Sequence, residues 1–209
     1  MDDHVFIYWD NSNIFHEVQR YAAESDESPG ARWRVHINFD NLFNLAHANR
    51  KLVRAIAAGS VPPEMKQLWN RLESRGMEMH LFDCEDFWRG EQDMPDQVLQ
   101  LQMMRDGWNN NGHPGTVVLL TGDGAGYTKG GGFHYTLEQM HGRGWKIEVL
   151  SWAHACNQRM RKWAEENGVF VALDDFYDAI TFMEPSIPGH ELAPARDSAE
   201  LDLSKRKTA

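Results

Sequence analysis

A three-layer α/β sandwich on a mainly parallel sheet is the fold this sequence predicts, and three observations carry it. Val5–Trp9 and Val117–Leu120 are apolar or aromatic at every position, as strands covered on both faces require. Strand-length runs alternate with helix-length segments, the pattern of βαβ units with right-handed crossovers. The chain has 209 residues and only two cysteines, Cys84 and Cys156. It is long enough to bury a core without staples, and it lacks the paired Cys/His spacing of a zinc site.

The elements follow in order. Val5–Trp9 is the first strand. From about Ser12 to Val35 the sequence shows little periodicity and contains Ser-Asp-Glu-Ser-Pro-Gly. It predicts a loop or irregular insertion with room for one short helix. Asp40 then caps a helix with Leu42, Phe43, Leu45 and Ala46 on its apolar face. Leu52–Ala58 is a strand. Pro62-Pro63 opens a helix with Met65, Leu68, Trp69 and Leu72 at helical spacing, and Gly76 ends it. Met77–Phe82 alternates as a strand. Pro95–Trp108 is a helix with Val98, Leu101 and Met104 on one face. Thr116–Leu120 is a strand, and Phe133–Arg143 is a helix stopped by Gly144. Lys146–Trp152 is a strand, Gln158–Asn167 a helix stopped by Gly168, and Val169–Leu173 the last strand. These elements make one domain over residues 1–183. Residues 184–209 are rich in Pro, Ala, Ser and charge, which predicts a flexible C-terminal tail with Lys205-Arg206-Lys207 as its solvated end.

Asp and Glu number 31 against 21 Lys and Arg, a net charge of −10. That excludes a protein held to nucleic acid by charge alone. It does not exclude a nuclease, whose carboxylates hold metal ions. The apolar runs fall far short of the ~18 residues of a membrane span. The acidic start Met-Asp-Asp-His is unlike a secretory signal. A cytoplasmic protein with no membrane partner is expected.

Ligands of open α/β sheets bind outside the carboxyl ends of the strands, near the switch in strand order. The first strand ends at Asp10, followed by Asn11, Ser12 and Asn13. The Thr116–Leu120 strand ends at Thr121-Gly122-Asp123. Asp96 sits in the first turn of the helix that leads into it. Three converging carboxylates repel one another unless a cation or a shared proton joins them. Mg²⁺ or Mn²⁺ is the natural cation for such oxygens. Such an ion, with Asp10, Asp96 and Asp123 as its candidate ligands, can turn a bound water into a hydroxide nucleophile and stabilise charge on a phosphoryl oxygen. Asn13 would orient that water or the phosphate. Gly124 and Gly126 let backbone N–H groups approach an anion closely, and Lys129 adds charge. With Asn11 they form the candidate substrate-binding set. The glycine spacing fits neither a Walker loop nor a dinucleotide fingerprint. The structural alternatives are plain: Asp96 complements the helix dipole, Asp10 and Asp123 cap loops, and the glycines make a turn.

These residues carry a resemblance. FIYWDNSNIF (6–15) resembles the opening strand of the NYN domain family, a hydrophobic strand followed by Asp, two residues and Asn. VVLLTGD (117–123) is similar to its later strand ending in Ser/Thr-Gly-Asp. PDQVLQLQMM (95–104) resembles its central helix, and CNQRMRKWAEENGVFVAL (156–173) its closing helix and strand. NYN domains are similar to PIN nucleases. The resemblance therefore implies a PIN-like, Rossmann-like sheet, a metal-dependent ribonuclease and single-stranded RNA as partner. Asp10, Asn13, Asp96 and Asp123 occupy the family's motif positions.

Two departures stand out. Ala125 replaces an Asp the family often has, and Gln102 replaces a second acid of the central helix. The acidic loop Asp83–Asp96, through Glu91 or Asp93, is a source of a substitute. Two other functions stay open: a catalytically weak module binding RNA, a protein partner or a second copy, and a small-nucleotide phosphohydrolase. Arg32-Trp33-Arg34 has the chemistry to stack on RNA. Arg159, Arg161 and Lys162 read as a solvated helix face. His154 and Cys156 follow the Lys146–Trp152 strand near the rim, where a cysteine nucleophile would need a lowered pKa.

Overall fold

The computed structural model describes residues 4–25, 27–60, 70, 72–82, 94–109, 113–121, 131–186 and 193–209. The strands are β1 (His4–Asp10), β2 (Val35–Ile37), β3 (Lys51–Ser60), β4 (Met77–Phe82), β5 (Thr116–Leu120), β6 (Lys146–Ser151), β7 (Val169–Ala172) and β8 (Thr181–Met183). Six of them form one sheet in the order β4-β3-β1-β5-β6-β7. Every neighbouring pair in it is parallel. β2 and β8 form a separate antiparallel pair. The described helices are α1 (Asn11–Glu24), α2 (Ala31–Arg34), α3 (Phe39–His47), α4 (Met94–Asn109), α5 (Gly132–His141), α6 (Gln158–Asn167) and α7 (Tyr177–Ile180).

Helices cover both faces, which completes the three-layer α/β sandwich. On one face Val5, Ile7 and Trp9 of β1 join a cluster with Ile14 and Val18 of α1 and Leu42 and Leu45 of α3. On the other, Phe6 and Tyr8 join Leu99 and Met103 of α4, Leu137 and Met140 of α5, and Met160 of α6. The unbroken apolar run of β1 is thus explained: alternate side chains enter different cores.

Three local expectations are corrected. The cap of α3 is Asn38, whose side-chain oxygen accepts the Asn41 N–H at 3.1 Å, and Asp40 lies inside the first turn. The stretch read as a loop or irregular insertion holds the 14-residue α1. Ile14, Val18 and Ala22 recur every fourth residue and are fully buried, but a four-residue apolar comb among polar residues is a weak signal. In α4 the buried line is Leu99 and Met103 rather than Leu101 and Met104, which are 50% and 39% exposed. Gly107 explains the rotation. A Cβ there would stand 3.1 Å from Cγ of Met140, so the glycine lets α5 approach along the line 99-103-107. The helix expected from Pro62 lies largely outside the described residues. Its last turn, 72–74, is helical, and Gly76 ends it at φ +88°.

Gly168 closes α6 by donating its N–H to the Ala164 carbonyl at 2.9 Å. A Cβ at this position would lie 2.3 Å from the carbonyl oxygen of Ile147 on β6. Backbone cannot retreat as a side-chain end can. Gly168→Ala is expected to lower stability by about 3 kcal/mol, read as a lower urea midpoint at unchanged slope.

Residues 193–209, expected as a flexible tail, lie against the domain. Arg196 bridges to Met183 through both backbone groups, and its Nε donates to Glu27 Oε1 at 2.7 Å. Arg34 is buried and donates to the carbonyls of Glu184 and Pro194 at 2.8 and 2.5 Å. Arg206 is buried as well. It donates to the Leu45 carbonyl at 3.1 Å and to Glu148 Oε2 at 2.5 Å. Polar groups rather than apolar bulk hold this segment, which is why its composition reads as mobile.

Candidate functional site

The chain builds outward from β1 in both directions, through β3 and β4 on one side and β5, β6 and β7 on the other. The switch point therefore lies between β1 and β5, at their carboxyl ends. Asp10 is the last residue of β1 and is 4% exposed. Its Oδ1 accepts the Asn13 N–H at 3.3 Å, capping α1. Its Oδ2 accepts the Thr121 hydroxyl at 3.2 Å. Thr121 directly follows β5 and is fully buried. These contacts orient the carboxylate, each of whose oxygens has two acceptor positions. That is the donor chemistry a hard divalent cation takes.

Asp96 is in the first turn of α4. α4 descends from β4 to β5 in a parallel sheet, so its N-terminus stands at the carboxyl rim with Asp10. Asn11 opens α1 and is buried. Gly59 of β3 makes room for this turn. A Cβ there would lie 3.0 Å from Ser12 Oγ and 3.1 Å from Asn11 Cβ. Asp123, Gly124, Ala125, Gly126 and Lys129 lie outside the described residues, as do Glu91 and Asp93. Among the described residues, no group of three or more His, Cys, Asp or Glu is gathered to hold a metal. Sequence reasoning missed the roles of Thr121 and Gly59. The signal for Gly59 was present in the small-residue run Ala57-Ala58-Gly59-Ser60.

Other candidates resolve into structural parts. Gln102 donates to Asp106 at 3.1 Å. Asp106 also accepts the Tyr8 hydroxyl at 2.7 Å and pairs with Arg54 Nε at 3.2 Å. Burial, then the Asp106 charge, pushes the Tyr8 hydroxyl well above its ordinary value. Gln102 thus fixes an acid one turn further down the helix. Cys156 is buried, and burial pushes its thiol up to about 11, the opposite of the lowered value an activated thiolate needs. Trp33 is 73% exposed with the Arg32 guanidinium 4.9 Å from its ring centroid. It follows α1, whose 14 residues carry the chain about 21 Å from the rim. Arg34 is not available for RNA, being spent on backbone carbonyls. Arg161 pairs with Glu165 and Lys162 with Glu166, as a solvated face predicts. Asp174, Asp175 and Asp178 follow the edge strand β7 and line a cavity of about 340 Å³ with Tyr21 and Tyr177.

Comparison with known proteins agrees with this fold. No curated protein matches the chain. A solved structure of a protein of unknown function from Vibrio parahaemolyticus RIMD 2210633 superposes with a TM-score of 0.57 at 19% identity, covering 83% of this chain and 94% of that one. At that identity the likeness shows the fold alone. Among the described residues no helix is long and apolar enough to cross a membrane. The sequence matches the NYN domain over residues 4–168. That match runs from the first residue of β1 to the glycine closing α6, and so the chain belongs to the NYN domain family.

Proposed function

We propose that this protein is a divalent-metal-dependent ribonuclease that hydrolyses single-stranded RNA at the β1/β5 rim. The observation that carries the reading is Asp10: a carboxylate buried at the switch point, at the carboxyl end of β1, and oriented by Asn13 and Thr121. Asp10, Asp96 and Asp123 are the residues that would hold Mg²⁺ or Mn²⁺. When bound, such an ion lowers the pKa of a water and offsets charge on a phosphoryl oxygen. Asn13 orients the attacking water or the phosphate from the first turn of α1. Lys129, with the backbone N–H groups of Gly124 and Gly126, contacts the substrate's phosphate oxygens, and Asn11 lines the same approach. With a net charge of −10, the protein engages RNA locally and with the help of the metal. The salt dependence of binding is correspondingly shallow.

A second reading is a module that binds RNA without turnover, in the cytoplasm, alone or with a protein partner. Ala125 and the commitment of Gln102 to Asp106 favour it. The deciding experiment incubates a labelled single-stranded RNA with the protein in Mn²⁺, in Mg²⁺ and in chelator, beside mononucleotide controls. Cleavage that requires the metal, spares mononucleotides and falls by about 10²–10³-fold in Asp96→Asn and Asp123→Asn is expected. RNA binding with no product in any metal would establish the second reading, and turnover of mononucleotides alone a phosphohydrolase.

A further inference from the structure

The rim has a titratable pair that the proposed chemistry leaves unused. Nε2 of His154 lies 3.0 Å from Oε2 of Glu17. Glu17 is one turn after Asn13 on α1, which places their Cβ atoms about 5–6 Å apart. Asn13 in turn bonds Asp10. His154 belongs to the turn after β6, whose end stands two strands from β1, about 10 Å away across the sheet. That turn is held firmly. Trp152 Nε1 donates to the Ile14 carbonyl at 3.1 Å, and the Ala153 N–H donates to Asp174 Oδ2 at 2.7 Å. The ring lies over Tyr21, 6.1 Å between centroids and 30° from parallel.

Among the described residues, Glu17 and Tyr21 from α1 face this imidazole, and Asp174 from the segment after β7 holds the neighbouring Ala153 N–H. Arg20 feels Glu17 but pairs with Glu24. The side chains of His154 and Glu17 are 21% and 23% exposed, reachable from solvent yet ordered. Glu17 takes Nε2–H, so the ring presents Nδ1, which has no hydrogen-bond partner among the described residues. A carboxylate that fixes one nitrogen so that the other handles a proton is the usual arrangement of a general acid. The setting calls for one. Hydrolysis of a ribonucleic phosphodiester expels a ribose oxygen of high pKa, and with Ala125 and Gln102 the site is short of acids to hold a second ion at the leaving side.

We infer that His154, oriented by Glu17, protonates the ribose oxygen that leaves. The inference rests on the ribonuclease reading above. In the step, the oxygen of a water bonds to phosphorus and the water loses a proton to solvent. The bond from phosphorus to the ribose oxygen breaks, and its electron pair stays on that oxygen. The proton on His154 Nδ1 passes to that oxygen, and solvent returns one to the ring.

The test compares leaving groups. His154→Gln, which keeps a donor toward Glu17, is expected to slow RNA cleavage by about 10²-fold. The same variant is expected to hydrolyse a p-nitrophenyl phosphodiester within about threefold of wild type, since nitrophenolate leaves without a proton. Glu17→Gln gives a smaller loss with the same selectivity. An equal loss on both substrates, or no loss on either, overturns the inference and leaves the ribonuclease reading standing. A second readout needs no turnover: a non-cleavable RNA analogue with Ca²⁺ is expected to shift the ring ¹⁵N resonances of His154. Binding that leaves those resonances unmoved also overturns the inference. A wild type that neither binds nor cleaves RNA removes the ribonuclease reading, and this inference with it.

Discussion

Glu148→Ala is expected to destabilise the fold by about 3–5 kcal/mol. Glu148 is fully buried on β6, an inner strand of the parallel sheet between β5 and β7. Arg50 donates to both its oxygens, at 2.7 and 2.9 Å. Arg206 and the Ala209 N–H add two more donors at 2.5 and 2.8 Å. A paired buried charge contributes modestly, but removing one partner strands the others. Here one truncation leaves two buried guanidinium groups without their anion. Burial alone would push the Glu148 carboxyl up. The hydrogen bonds and charges of Arg50 and Arg206, with the Ala209 N–H, outweigh it and hold the group below its ordinary value of 4.5. A carboxyl depressed in the folded state contributes stability above its unfolded pKa and loses it as pH falls through the folded one. The wild type should therefore weaken on acidification below about pH 4.5, and Glu148→Ala should show a flatter profile there. Urea midpoints from pH 7 to 3 measure both effects. A loss under 1 kcal/mol at pH 7 would show that the arginines find other partners.

The second large effect is catalytic. Asp10→Asn is expected to abolish metal-dependent RNA cleavage, by about 10³-fold or more, while changing stability by less than about 1 kcal/mol. The amide is nearly isosteric. Its oxygen still accepts the Asn13 N–H, and the Thr121 hydroxyl turns to accept from the amide nitrogen. What is lost is the negative charge and one metal-binding oxygen. Binding supplies a check independent of rate. Mn²⁺ at 100 times its dissociation constant stabilises a protein that binds it by about 2.7 kcal/mol. That increment should appear in the wild type and vanish in Asp10→Asn. Equal stabilisation of both would place the ion elsewhere.

These two residues differ in how far the sequence reveals them. Asp10 stands directly after an apolar run, at the one end of a strand where parallel sheets place ligands, so position alone exposes it. Glu148 is a charged residue inside a strand, with partners 98 and 58 positions away in sequence. No local pattern announces such a partnership. α1 escaped for a different reason: its N-cap is Asp10 itself, a residue already read as chemistry, and its apolar line is only one residue wide. β1 and β5 were legible because burial on both faces leaves no polar position inside the apolar run to confuse their limits, whereas β2 and β8, three residues each, are too short to show a pattern. Thr121 was legible as part of a motif but not as the donor that orients Asp10, because that contact joins residues 111 positions apart.

The outer strands of the sheet carry a consequence for solubility. β7 has four residues, and the Arg161 guanidinium lies 4.8 Å from the Phe170 ring centroid. β4, at the opposite border, carries Glu78, which pairs with Arg54 and His80. Short borders bearing charge are poor templates for an added strand. Aggregation by sheet extension is thus disfavoured at both ends. Among the described residues, Leu101, Met104 and Trp108 of α4 face outward and offer a helical line for self-association instead.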